Sequence, residues 1–256
     1  MTTPVEGNPA TTLLAIETAG SGCSAAVARG VEVLAAERRP LRHGHAEALL
    51  PMVERVMEAA GLAPAQLEIV AAAIGPGGFT GIRAGLAAAH GIALALGARL
   101  VGVSSFVAVA AGLSATGLAA TGLAATRHGD CRTLLVALDS RRADLYVQLF
   151  ALDGQLFARD GLAPLDAPQA ILPDRLAAYV GRLLSRRRGT VLIAGDAVAT
   201  AAGALDRHFA VAIAADSAPD ARSVAAAALV QLQSGAAAGP ARPFYLRAPD
   251  VTLPPT

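Results

Sequence analysis

The chain has no tryptophan, no lysine and only two cysteines, and aromatic residues make up just 4% of it. Each scarcity excludes something. With 54% hydrophobic residues and so few aromatics, the core has to be built from Ala, Leu and Val. Cys23 and Cys131 show neither a metal-type spacing nor the density of a disulfide framework, which fits a reducing cytoplasm. All 21 cationic residues are arginines, balanced by 20 acidic ones to a net charge of +1. No bulk positive field is therefore available to hold nucleic acid. Without lysine the chain also lacks the phosphate-reaching residue of a P-loop. Together with the abundance of alanine, that points to a GC-rich genome. Residues 1–12 carry no positive stretch followed by an apolar one, so no signal peptide is read there. The apolar stretches are interrupted by Arg or His, and none reads as a membrane span.

What is present is a repeating alternation of short runs. Residues 12–17 (TLLAIE), 23–28 (CSAAVA) and 31–36 (VEVLAA) are separated by Gly and Ser, which predicts an antiparallel meander. Over 45–60, Leu49, Met52, Val53, Val56 and Met57 form one helical stripe, with Pro51 expected to bend the helix and Gly61 to end it. A strand over 68–74, a helix over 81–96, a strand over 99–103 and a helix from Ser105 follow. This order, β-β-β-α-β-α-β-α, describes an α/β layer on a mixed sheet. Residues 113–126 contain the direct repeat ATGLA and read as a loose connection. The pattern then restarts, with strands over 133–139 and 144–151 and a partly helical stretch over 168–185 broken at Pro173. A strand over 190–196 and a helix over 219–234, with Asp220 or Ser223 as start signal, complete it. Two such halves predict a duplicated fold with a cleft between the lobes, divided as 1–108 and 109–256.

The most informative segment is GPGGFTGIRAGLAAAHGIALALG, residues 75–97. A strand runs into a glycine turn that opens into a small-residue helix, with Thr80 as the expected cap. Such a turn either cradles an anion on the helix N-terminus or is only a tight connection. Its spacing matches neither common phosphate-loop pattern. Gly81, Gly85, Ala88 and Ala89 keep the helix surface low, which favours close packing or partner contact.

The segments AIETAGSGCSAAVA, HAEALLPMVERVM, IGPGGFTGIRAGLAAAHGIALALG, VGVSSF and PFYLRAPD together resemble the bacterial TsaB (YeaZ) family. The resemblance covers nearly the whole chain and is densest over residues 13–110. It implies the duplicated ASKHA (actin/hexokinase/Hsp70-like) fold. It also implies a part in making N6-threonylcarbamoyladenosine in tRNA, as a non-catalytic subunit that activates a catalytic sibling, TsaD. A small TsaE-like ATPase, tRNA met through the complex, and a homodimer in the sibling's absence are the further implied partners. No membrane is among them. ATP or ADP and metal are then expected in the partner subunits, with none bound by this chain alone. The sibling carries, after the VGV strand, two histidines four residues apart that hold metal. Ser105 and Val109 stand at those places here, and neither supplies an imidazole. The sibling's Ser-Gly-Gly-His-Thr turn is matched by Leu138-Asp139-Ser140-Arg141-Arg142, without its glycines or histidine. The alternative is an enzyme in its own right, a TsaD-like transferase or a peptidase.

On the subunit reading, the partner interface is Leu49, Met52, Val53 and Val56 on one helix with Gly81, Ile82, Gly85 and Ala89 on the next. Glu17, Gly77 and Arg83 are the candidates for nucleotide contact, since an acid at the place of Glu17 helps hold metal-bound phosphate in ATP-using members of the fold. His43 and His45 do not share a helical face, and His90 reads as an interface or partly buried histidine. Ser140 with Asp139 and Asp144 has no nucleophile elbow and no histidine base, which argues against a hydrolase. Arg186-Arg187-Arg188 reads as a solvated loop.

Overall fold

The computed structural model describes residues 11–41, 43–115, 131–152, 163–185, 189–234 and 241–247. The repeat-bearing connection past residue 115, His128 and the run Arg186-Arg187-Arg188 lie outside them. The first half consists of β1 (Thr12–Glu17), β2 (Gly22–Arg29), β3 (Glu32–Pro40), α1 (His45–Ala59), β4 (Ile69–Gly75), α2 (Phe79–Leu96), β5 (Arg99–Ser104) and α3 (Ser105–Ala115). The second half follows the same plan: β6 (Cys131–Asp139), β7 (Leu145–Ala151), β8 (Gln169–Ile171), α4 (Pro173–Leu183), β9 (Thr190–Ala194), α5 (Val198–Leu205), β10 (Val211–Ile213) and α6 (Ala221–Gln233).

The duplication is visible in the pairing. One sheet has the order β3-β2-β1-β4-β5, and the other, read from its far edge, β8-β7-β6-β9-β10. In each, three strands form an antiparallel meander and two more join parallel to its first strand. Parallel strands need covered faces, and β1 is accordingly buried at every residue.

Helix α1 continues through Pro51, whose ring is exposed. Other local readings are corrected. Pro173 starts α4 rather than breaking a helix, because a first-turn residue has no intrahelical donor to lose. Thr80 is not a cap. It lies within α2, whose N-cap is Gly78 without a side-chain bond. Asp220 does cap α6, accepting from the Ser223 amide at 2.9 Å while the Ser223 hydroxyl meets the Asp220 amide at 3.1 Å. By length and composition α2 is apolar enough to cross a membrane, with mean hydropathy 1.4. Here its buried face, including Ile82, Leu86 and Ala93, lies in the core.

The halves exchange helices. α6 packs on the first sheet, with Val224, Ala225, Ala228 and Leu229 in that core. α3 sends Phe106, Val109, Ala110 and Leu113 into the core of the second lobe, while Ala108 and Ala111 face the first. The other face of the second sheet is covered by α4 and α5 through Leu176, Val180, Ala201 and Leu205.

Candidate functional site

The predicted interface residues need exposure, and the structure buries them. Leu49, Met52, Val53 and Val56 are 1%, 0%, 8% and 3% exposed. The stripe that makes α1 amphipathic is the stripe that covers its own sheet. Ile82 and Ala89 are buried with it. Gly81 and Gly85 admit no helix from outside, because Thr18 fills the space. A Cβ at Gly81 would overlap the Thr18 carbonyl oxygen and one at Gly85 the Thr18 hydroxyl. That hydroxyl donates to the Gly81 carbonyl at 2.7 Å. These glycines serve the strand-to-helix junction inside the chain.

The outward arc of α2 is different. Ala87, Gly91, Leu94 and Ala95 recur at helical spacing and are all exposed, Leu94 at 86%. On α1, Leu50 is 50% exposed. Among the described residues, a Cβ added at Gly91 would meet nothing within 4 Å. α2 carries Ala, Gly and Leu on both arcs, with Arg83 and His90 on the outer one, so its small residues alone did not separate the arcs. Exposure separates them.

The turns at the strand ends converge between the lobes. Glu17 is buried, and its Oε1 accepts from the amides of Ala19 (2.7 Å) and Gly20 (2.8 Å). Burial pushes its carboxyl up to about 8, against those two hydrogen bonds and with help from the nearby Asp196 and Asp220 charges. Asp196 is raised as well, mainly by burial, although it accepts from the Asp139 amide at 2.9 Å. Arg141 crosses between lobes to donate to the Gly20 carbonyl at 3.1 Å. Gly77 packs against Ala19, whose carbonyl also accepts from the Gly78 amide at 2.8 Å. At Glu17 and Gly77 the geometry is thus one turn sealed against another.

Ser140 is held within its own turn: its hydroxyl donates to Asp144 and accepts from the Arg142 amide at 3.1 Å. Ser105 and Val109 are both buried, and among the described residues the Ser105 hydroxyl has no hydrogen-bond partner. His43 is exposed. His45 is partly buried, and burial lowers its pKa against a hydrogen bond with the Gly22 backbone. Among the described residues no three of His, Cys, Asp and Glu cluster as a metal ion would require.

Residues 241–247 lie over the first lobe and tie it to the second. The Phe244 amide donates to the Ile74 carbonyl at 2.8 Å, and the His90 ring meets the Ala241 carbonyl at 2.9 Å. Arg83 donates to the Tyr245 hydroxyl at 3.0 Å and stacks over Phe79, 3.7 Å from the ring centroid. At the far end Arg247 pairs with the buried Asp144 at 3.0 Å. Apart from Arg83 over Phe79, which are four residues apart on α2, none of these contacts was legible in local spacing, because their partners lie more than a hundred residues apart.

The family model described as TsaD, tRNA N6-adenosine threonylcarbamoyltransferase, matches residues 39–250. A protein of Bacillus subtilis (strain 168), tRNA threonylcarbamoyladenosine biosynthesis protein TsaB, is 30% identical over 188 residues, covering 72% of this chain and 71% of that protein. Its namesake in Escherichia coli (strain K12) is 31% identical over 134 residues, 52% of each chain. This chain thus spans about half the length of that curated relative. The solved structure of YeaZ from Pseudomonas aeruginosa has the same fold, with a TM-score of 0.69 at 24% identity, over 92% of this chain and 100% of that one.

Proposed function

This chain belongs to the TsaB family, and on that premise we propose that it serves tRNA threonylcarbamoyladenosine biosynthesis as a non-catalytic, cytoplasmic scaffold. Its partner is a TsaD-type catalytic subunit, which the chain activates for N6-threonylcarbamoylation of adenosine 37. ATP or ADP and the metal belong to the partner subunits, a TsaE-like ATPase among them, and tRNA is met through the complex. With the sibling absent, the same surface joins two copies of the chain.

One observation carries the reading: the exposed small-residue arc of α2, where Ala87, Gly91 and Leu94 stand beside Arg83 and His90. Glycine inside a helix costs about 1 kcal/mol relative to alanine. Among the described residues nothing packed against position 91 requires it. A partner helix approaching closely does. The docking face is therefore the outer arc around Ala87, Gly91 and Leu94, with Leu50 beside it on α1, and not the buried stripe.

The test is co-purification with the cognate TsaD-type subunit followed by a threonylcarbamoylation assay on tRNA. A stable complex is expected, with modification lost when this chain is omitted. Gly91→Trp is expected to leave the melting temperature of the isolated chain unchanged and to abolish both pairing and modification. Pairing that survives Gly91→Trp overturns the docking face. Modification by this chain alone overturns the non-catalytic role.

A further inference from the structure

The two helices that present the docking face carry charge of opposite sign. On α1, Glu47, Glu54 and Glu58 recur at helical spacing and are all exposed, with exposed Pro51 among them. Among the described residues none of the three is ion-paired. The one arginine of α1, Arg55, is turned away from them, since it pairs with Glu37 of β3 at 2.7 Å. α2 is the reverse. It has no acidic residue, and its exposed Arg83 and His90 lie on the side met by residues 241–247, through Tyr245 and the Ala241 carbonyl. That segment adds the exposed Arg242 and, like α2, contains no Asp or Glu.

The order of these groups across the face follows from how each helix is fixed. Arg55 reaches β3 from one flank of α1, and helical geometry puts Leu50 on the opposite flank. α2 packs beside α1, and a Cβ at Gly81 would lie 3.8 Å from the His45 ring, so that side of α2 faces α1. Arg83 and His90 stand on its other side, toward residues 241–247. A row of acids, an apolar strip of Leu50, Gly91 and Leu94, and a row of arginines with His90 among them thus succeed one another. A helix surface that is only solvated mixes both signs along its length. Here the signs are segregated to the two sides of one apolar strip. Charges at the rim of an interface govern encounter rate and the rejection of wrong partners more than they add affinity.

We propose that this polarity selects the partner: the face fits a two-helix surface of the catalytic subunit that sets cations against the α1 row and carboxylates against the Arg83–Arg242 row. Glu47, Glu54, Glu58, Arg83 and Arg242 then determine specificity, while Ala87, Gly91 and Leu94 supply the close apolar contact. A surface of the opposite polarity brings like charges face to face along both rows and is rejected. This selection rests on the docking of α2 proposed for the catalytic subunit; what it adds is the chemistry that subunit has to present.

The experiment follows association of the full chain with its cognate TsaD-type subunit by surface plasmon resonance at ~0.1 M and ~1 M salt, between which the Debye length falls from about 10 Å to about 3 Å. The wild-type chain is expected to associate about tenfold faster at the lower salt. The double variant Glu54→Arg, Glu58→Arg is expected to associate about tenfold more slowly than wild type at ~0.1 M salt, and Arg242→Glu about threefold more slowly. Both should match wild type at ~1 M salt and keep the melting temperature of the isolated chain, since these side chains are exposed. Association of either variant at the wild-type rate at ~0.1 M salt, or a wild-type rate that rises with salt, overturns the charge selection. Pairing lost in Gly91→Trp but unchanged in the charge variants leaves the docking face in place and removes the selection alone. Pairing that survives Gly91→Trp, or a wild-type chain that fails to pair, removes the docking face and the selection with it.

Discussion

At the residue scale the sharpest feature is Glu17, an acid sealed in the first lobe with two backbone amides for company. Its carboxyl ordinarily titrates at 4.5 and is pushed up to about 8 in the fold. The folded state therefore holds a proton that the unfolded chain releases earlier. Stability from this group is complete below pH 4.5 and is lost progressively as pH rises to about 8. Asp196, raised in the same direction, adds to the trend. Thermal melts should show the chain losing stability between about pH 5 and about pH 8.5. The loss should reach a few kcal/mol, since each tenfold change in proton affinity is worth ~1.4 kcal/mol. Glu17→Gln keeps an acceptor for both amides and removes the titration, so its melting temperature should fall much less over the same range. Equal slopes for the two proteins would show that Glu17 ionises in the fold as it does in water. From sequence, the position of Glu17 at a strand end was legible. Its environment was not, because Asp196 and Asp220 reach it from the other end of the chain.

At the element scale α2 shows how one glycine-rich helix carries two different demands. Gly85 faces Thr18 and has no room for a methyl group, whereas Gly91 faces outward with nothing within 4 Å. Gly85→Ala should destabilise the isolated chain by about 1–3 kcal/mol, as overpacking does. Gly91→Ala should stabilise it by up to about 1 kcal/mol through helix propensity. Denaturant unfolding of both variants checks the pair, and equal effects would remove the distinction between the two faces. Strong local signals placed the long elements well: the apolar run of β1, the stripe of α1 and the start signals of α6 each carry their information within one window. The short elements β8, α5 and β10 were not legible. They are three to eight residues long, and their order depends on neighbours in the second sheet.

At the scale of the molecule the exchange of helices makes the lobes interdependent. The first sheet is covered in part by α6, which arrives more than a hundred residues after β5. A fragment ending at residue 115 exposes the apolar surface that Val224, Ala228 and Leu229 cover. It should fail to give a cooperative melt, and fusing residues 216–235 to it through a flexible linker should restore one. A cooperative transition in the short fragment would mean that the first sheet is self-sufficient.

The sequence by itself determined the α/β class, the β-β-β-α-β-α-β-α order of the first half, a second half that restarts with strands, and the family, because periodicity and motif are local and repeat along the chain. It also determined two helices, one on each side of the strand and glycine turn over residues 68–78. Only the tertiary structure decided which side of those helices is free, since the small residues of α2 occur on both of its arcs and the stripe of α1 suits a partner as well as its own sheet. It also decided that Thr18 rather than a partner occupies the glycines, and that residues 241–247 lie along the Arg83 and His90 side of α2. Those outcomes depend on contacts between residues far apart in the chain, which no local window contains.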